Sequence, residues 1–208
     1  MVKNIYKLLS LALQWPDEQW MSTMRHALQM EHDMLPVLGD AFTELALVPL
    51  EHIQAEYTNL FMNGFPTTPC PPYESHYCKS ETVWEEVVVF YRRWGLTSKR
   101  EQPEHIAVEL EFMHVLLSAL ETATDEEERS EVQVAVEAFG SKHLGRWAER
   151  FARDLVTHAR LAFYRILGEV LAEFVQLERM RWKKSEALNP HGVESPQEHS
   201  EYNTNLKS

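Results

Sequence analysis

The sequence predicts an all-α fold: a single helical bundle of about eight or nine helices, with one proline-rich loop and one polar hinge. Three observations carry this. Apolar residues recur at three- and four-residue spacing through most of the 208 residues. No stretch shows a sustained alternation of apolar and polar residues; the β-branched run Val87-Val88-Val89 sits inside a longer helical pattern. Only seven glycines occur, too few for the turns of a sandwich or barrel.

The first helix is predicted over residues 2–14, with Ile5, Leu8, Leu9 and Ala12 on one face; Trp15-Pro16 ends it, because the residue before proline avoids the helical region. Asp17 starts a second helix to about Met30, seamed by Trp20, Met24 and Leu28. His26 and His32 have no ligand-type partner at a matching offset and read as surface. A third helix spans about Leu35 to Leu47. A fourth, about Leu50 to Met62, carries Ile53, Tyr57, Leu60 and Phe61.

That fourth helix feeds an unusual loop. Pro66, Pro69, Pro71 and Pro72 are four of the chain's ten prolines and exclude regular structure there. Phe65, Tyr73 and Tyr77 make the loop aromatic as well as stiff. Such a loop either packs onto the core or is presented to a ligand.

Ser80 is the expected N-cap of a helix to Trp94, with Gly95 at its C′ position. Val83, Trp84, Val87, Val88, Phe90 and Tyr91 make this helix apolar on more than one side, which predicts burial. A polar hinge follows at about 95–103. Pro103 then suits the first turn of a helix seamed by Ile106, Leu110, Met113, Leu117 and Leu120. Thr124 with Glu127 suggests a capping box. Ser141 is a candidate N-cap for the helix bearing Leu144, Trp147, Phe151 and Leu155. The last helix carries Phe163, Leu167, Val170, Phe174 and Leu177. One domain is therefore expected over 1–182, and residues 183–208, polar and aperiodic, are expected to be a disordered tail.

Composition restricts function. The formal net charge of −12 disfavours nucleic acid and anionic membranes as partners. No run of 18 apolar residues is present and the N-terminus lacks the features of a signal peptide, so a cytoplasmic protein without a membrane span is expected. Cys70 and Cys78 make no disulfide framework, and C-x5-H-x-C through His76 matches no common zinc spacing. No glycine pattern of a nucleotide site occurs, so no cofactor and no metal are expected. Glu104 and His105 could form an acid/base pair, which leaves a small helical metal-dependent or acid/base enzyme as the alternative function. Adjacent helical residues point about 100° apart, however, and a local capping role is the simpler reading.

Two stretches in order carry a resemblance. Y-x-x-L-F-x-x-G from Tyr57 is followed by P-x-P-P-Y-x-S-x-Y from Pro69, and then by E-x-P-E-H from Glu101 at the hinge. Together with S-K-H-L-G-R-W-A-E-R-F from Ser141 and the Phe163-Tyr164 pair, this resembles the TorD/DmsD/NarJ family of chaperones for molybdenum enzymes, over about residues 5–180. The resemblance implies an all-helical, non-enzymatic protein. It would bind the twin-arginine leader, or an equivalent N-terminal segment, of a molybdenum oxidoreductase catalytic subunit, and hold that subunit for molybdopterin insertion. It also implies a homodimer by domain swapping as one state. The matching peptide-binding positions are Tyr57, Leu60, Phe61, Pro71, Pro72, Tyr73, Ser75, Glu104 and His105. Two of them depart from the usual pattern, Tyr73 where many members have tryptophan and Glu104 where aspartate is usual. The leader's arginines would need carboxylates, for which Glu74, Glu101 and Glu104 are candidates. Loop and hinge are therefore expected to lie close in space and form one groove, in which alanine at Tyr73 or Leu60 would cost binding more than stability.

Overall fold

The structure is a computed structural model that describes residues 2–31, 34–64, 67–96 and 102–188, with side chains to 183. In chain order it comprises α1 (Val2–Ala12), α2 (Glu18–Met30), α3 (Pro36–Leu45), α4 (Leu50–Phe61), α5 (Glu74–Cys78) and α6 (Val83–Arg93). After the hinge come α7 (Ile106–Thr122), α8 (Glu126–Phe139), a π-helical turn (Gly140–Leu144), α9 (Gly145–His158) and α10 (Ala162–Leu188). The all-α prediction holds; an isolated bridge between Tyr73 and His105 is the one β-type pairing among the described residues. Residues 97–101, the greater part of the predicted hinge, lie outside the described residues, as do His32, Phe65, Pro66 and the predicted tail from 189 on.

Helices α9 and α10 pack most extensively, α1 lies along α7, and α3 crosses α10. The interior is aromatic. Phe61 stacks on Phe151 and meets Tyr57 and Tyr164 edge-on, while Tyr77 stacks on Trp147. A second cluster joins Tyr91, Phe112 and Phe139. Offset and edge-to-face pairs of this kind favour one arrangement over its alternatives, beyond the area they bury.

Several local expectations are corrected. Asp17 caps α2 as expected, accepting the Trp20 amide, and Gly95 adopts φ +67 after α6. The six-residue run apolar on two sides does not bury α6: Val83, Val87 and Tyr91 face inward, whereas Trp84 and Val89 are exposed. Ser80 does not cap it; Thr82 precedes its first turn. Pro103 lies outside α7, whose N-cap is His105. The capping box before α8 is shifted by one residue: Asp125 accepts the Glu128 amide and Glu128 accepts the Thr124 amide. The α10 seam runs through Leu171, Phe174, Val175, Glu178 and Trp182, leaving Leu177 exposed, because a straight helix holds a 3.6-residue period where the predicted seam stepped by three. The same helix continues to Leu188, past the predicted boundary at 183.

Ser141 starts no helix. Residues 140–144 form a π turn that joins α8 to α9 without a break. The cause is steric. A Cβ at position 140 would fall 2.3 Å from the Trp182 ring, and one at 145 would fall 2.6 Å from the Gly140 carbonyl oxygen. Glycine at both places lets Trp182 fill the widened turn. Gly140→Ala should therefore destabilise the fold by roughly 1–3 kcal/mol, lowering Tm by several degrees in a thermal melt. A melt unchanged within a degree would show that Trp182 can move aside freely.

Candidate functional site

The proline loop folds back on its own helix and then onto the hinge. The Cys70 amide donates to the Leu60 carbonyl at 2.9 Å, closing the loop under α4. The Ile106 amide donates to the Pro72 carbonyl at 2.9 Å, and the Glu74 amide to the Glu104 carbonyl at 3.1 Å. These two bonds flank the Tyr73–His105 bridge, and the two rings meet edge-on with centroids 5.5 Å apart. Residues 72–75 and 102–106 are thus brought together, as the sequence predicted. The loop is not wholly irregular, however: beyond the last proline, Glu74–Cys78 forms the short helix α5.

Each side chain of the predicted set has a definite place. Tyr57 is buried, and its hydroxyl donates to the Leu13 carbonyl. Leu60 and Pro72 are buried as well. Glu104 accepts from both the amide and the hydroxyl of Ser75, at 2.8 and 2.9 Å, so it caps α5. His105 Nδ1 accepts the Ala107 amide and caps α7. Glu104 and His105 therefore serve separate helix ends and do not face one another as an acid/base pair.

An open groove of about 520 Å³ lies on the outer side of the loop, lined by Phe61, Met62, Asn63, Thr67, Thr68, Pro71, Tyr73 and His76. Phe61, Pro71 and Tyr73 from the predicted set share this wall. Tyr57, Leu60, Pro72, Ser75, Glu104 and His105 stand behind it, in the core or in the frame. Met62, Asn63, Thr67, Thr68 and His76 were missed. Their signal was position alone, within the stretch already singled out, since none has a side chain that announces binding.

Behind the groove lies a buried polar node. Glu74 is fully buried and so cannot reach a leader's arginine as proposed from sequence; its carboxylate accepts from His143 Nδ1 at 2.9 Å, and Cys78 Sγ lies 3.7 Å away. His143 reaches this position from the π turn. Glu109, also fully buried, accepts from Trp147 Nε1 at 3.0 Å through one oxygen, while its other oxygen meets no donor. Burial first, and then the neighbouring Glu74 carboxylate, push the Glu109 carboxyl well above its usual range. A proton on the second Glu109 oxygen resolves the arrangement: it supplies a donor toward Glu74 and removes a like-charge contact.

Two expectations follow. Leu60→Ala should cost roughly 2–5 kcal/mol of stability, against under about 1 kcal/mol for Tyr73→Ala at the groove wall, in urea denaturation. Leu60, fully buried, is thus placed to cost stability, whereas half-buried Tyr73 keeps the expectation that alanine costs binding more than stability. The second concerns pH. A carboxyl raised in the fold contributes fully below its unfolded value near 4.5, and that contribution falls as pH rises toward the folded value. Glu109→Gln mimics the protonated acid. It should gain on the wild type as pH increases above 4.5, by up to about 1.4 kcal/mol per pH unit, in denaturation curves taken from pH 4 to 9. Parallel curves over that range would show that Glu109 is ionised in the fold.

With the geometry in place, comparison with known proteins gives a consistent picture. Residues 20–153 match the family model described as nitrate reductase delta subunit. The chain is 28% identical over 134 residues to the chaperone protein TorD of Photobacterium profundum, covering 61% of this chain and 62% of that protein, so it spans less than two thirds of that relative. It is 29% identical over 138 residues to the chlorate reductase assembly chaperone protein of Ideonella dechloratans, covering 63% of this chain and 70% of the relative. A crystal structure of a protein from Archaeoglobus fulgidus, described as a redox enzyme maturation protein, superposes with a TM-score of 0.63 at 23% identity, covering 84% of this chain and 93% of that one; it supports the fold. The family match takes in α2 through most of α9, including the loop, the hinge and the buried node, and the chain belongs to the nitrate reductase delta subunit family, the TorD/NarJ chaperones.

Proposed function

We propose that this protein is a non-enzymatic, cytoplasmic chaperone that binds the twin-arginine leader, or an equivalent N-terminal segment, of a molybdenum oxidoreductase catalytic subunit and holds that subunit for molybdopterin insertion. The observation that carries this reading is the groove between Phe61 and His76, aromatic on one wall and prearranged by the prolines and the Tyr73–His105 bridge. A stiff wall loses little conformational entropy when a peptide settles on it, so the apolar part of a leader gains most of its contact energy as affinity. Phe61, Pro71 and Tyr73 offer the apolar and aromatic surface; Asn63, Thr67 and Thr68 offer neutral polar groups to the peptide backbone.

The charge part of the reading narrows. Glu74 is withdrawn into the core, and Glu101 lies outside the described residues. Glu104 remains half-buried beside Tyr73, and its engagement with Ser75 holds it in one orientation from which a guanidinium could be met. Relatives described as a TorD chaperone and a chlorate reductase assembly chaperone support the same role. No helix among the described residues is long and apolar enough to cross a membrane.

The test is calorimetric titration of the full-length protein with a twin-arginine leader peptide and with a version carrying glutamine at both arginines. Micromolar binding is expected, weakened about tenfold by Tyr73→Ala, with a smaller loss for the glutamine peptide. Equal affinity of wild type and Tyr73→Ala, with both proteins folded, would move the leader site away from this groove.

A further inference from the structure

We propose a second client-docking surface: the outer flank of α5 and α9, where Lys79, Lys142, Arg146 and Arg150 form a basic strip that takes an acidic segment of the client polypeptide in extended form. The inference rests on the chaperone reading for its occupant, but not on the groove.

The strip stands out against the rest of the chain, which has 20 basic against 32 acidic residues. Its four cations are exposed, and none of them pairs with a carboxylate among the described residues. Some exposed cations elsewhere are paired, Lys7 with Glu111, Arg93 with Glu131, and Arg153 with Glu149, while others such as Arg25 and Arg129 stand singly; what sets the strip apart is that its cations lie side by side. Here the guanidiniums lie back along their own helix instead. Arg146 donates to the Lys142 carbonyl at 3.3 Å and Arg150 to the Arg146 carbonyl at 3.2 Å, so 142, 146 and 150 form a single row. Arg150 also sits over the Tyr77 ring, 5.8 Å from its centroid, which fixes it against α5. Both arginines lie close enough to Cys78 to act on its thiol, and Lys79 follows directly. Of the acids on α9, Asp154 accepts the Tyr77 hydroxyl and Glu149 is paired with Arg153 and Arg179.

The spacing favours a polypeptide over a small anion. Successive cations four residues apart on a helix rise by about 6 Å, close to the ~6.6–6.8 Å between alternate side chains of an extended peptide. An acidic residue at every second position would therefore meet the row in register. No open helix N-terminus adds backbone amides to the four cations for a compact anion, because the π turn runs α8 into α9. Continuity supports the same occupant. His76 lines the groove and meets the Tyr77 ring edge-on, and Arg150 covers that ring, so groove and strip adjoin across α5. A leader's own arginines are repelled from the strip, which orients a client so that its acidic part lies toward α9.

Fluorescence anisotropy of a labelled (Glu-Ala)5 peptide on the full-length protein tests this, beside (Gln-Ala)5 and the double variant Lys142→Glu/Arg146→Glu, whose two sites are exposed. The expected result is salt-sensitive binding of the acidic peptide only, weakened about tenfold in the double variant, with leader affinity in calorimetry not reduced by it. Equal binding of (Glu-Ala)5 by both proteins, or no binding by the wild type, overturns the proposal. So does displacement by pyrophosphate at concentrations well below those of the peptide, which would make the strip a small-anion site. Loss of leader binding by wild type with acidic-peptide binding intact would instead count against the groove alone.

Discussion

The fold's most exposed weakness is its least regular stretch, and one buried contact secures it. Glu74, at the start of α5, reaches inward to His143 on the π turn and lies against Glu109 of α7, which in turn holds Trp147 of α9. Three separate parts of the chain meet there: loop, central helix and C-terminal half. A charge buried without partners would be costly. Satisfied by an imidazole and a neighbouring carboxyl, it instead fixes where the loop must sit. The proline backbone fixes the loop's shape, and the node fixes its position.

The frame around the groove uses the same economy of means. Glu104 and His105 look like chemistry in sequence, yet each secures a helix end, and together with Pro72 and Ile106 they tie loop to hinge. Glu56 of α4 does likewise, accepting the amides of Arg160 and Leu161 just before α10 begins. Carboxylates that look free in sequence are engaged here at helix ends, where they hold the frame of the groove in place. The surface of the protein has two characters, aromatic and neutral in the groove, cationic along α9.

The helices, most of their boundaries and the pairing of loop with hinge were legible because apolar periodicity and proline placement are local signals. The node was not. Nothing at Glu74, Glu109 or His143 distinguishes a buried polar residue from a solvated one, and the three are brought together only by tertiary packing. The exposure of Trp84 and Val89 was hidden for the complementary reason: a helix apolar on two sides looks buried from its sequence, although only one side found a neighbour. The motif residues Tyr57, Leu60 and Phe61 lie together at one end of α4, but a motif does not separate residues that line a groove from those buried behind it. Of the three, Phe61 is both buried and part of the groove lining.

The Glu109 carboxyl has a consequence for how the chain folds. In the unfolded chain at neutral pH this side chain is in water and carries no proton. In the native interior, burial and the neighbouring Glu74 carboxylate favour its protonated form. Folding of the chain around this site then favours uptake of a hydrogen ion, and unfolding its release. The frame of the groove is in this sense coupled to the medium: protonation of Glu109 and the seating of Glu74 beside it favour one another.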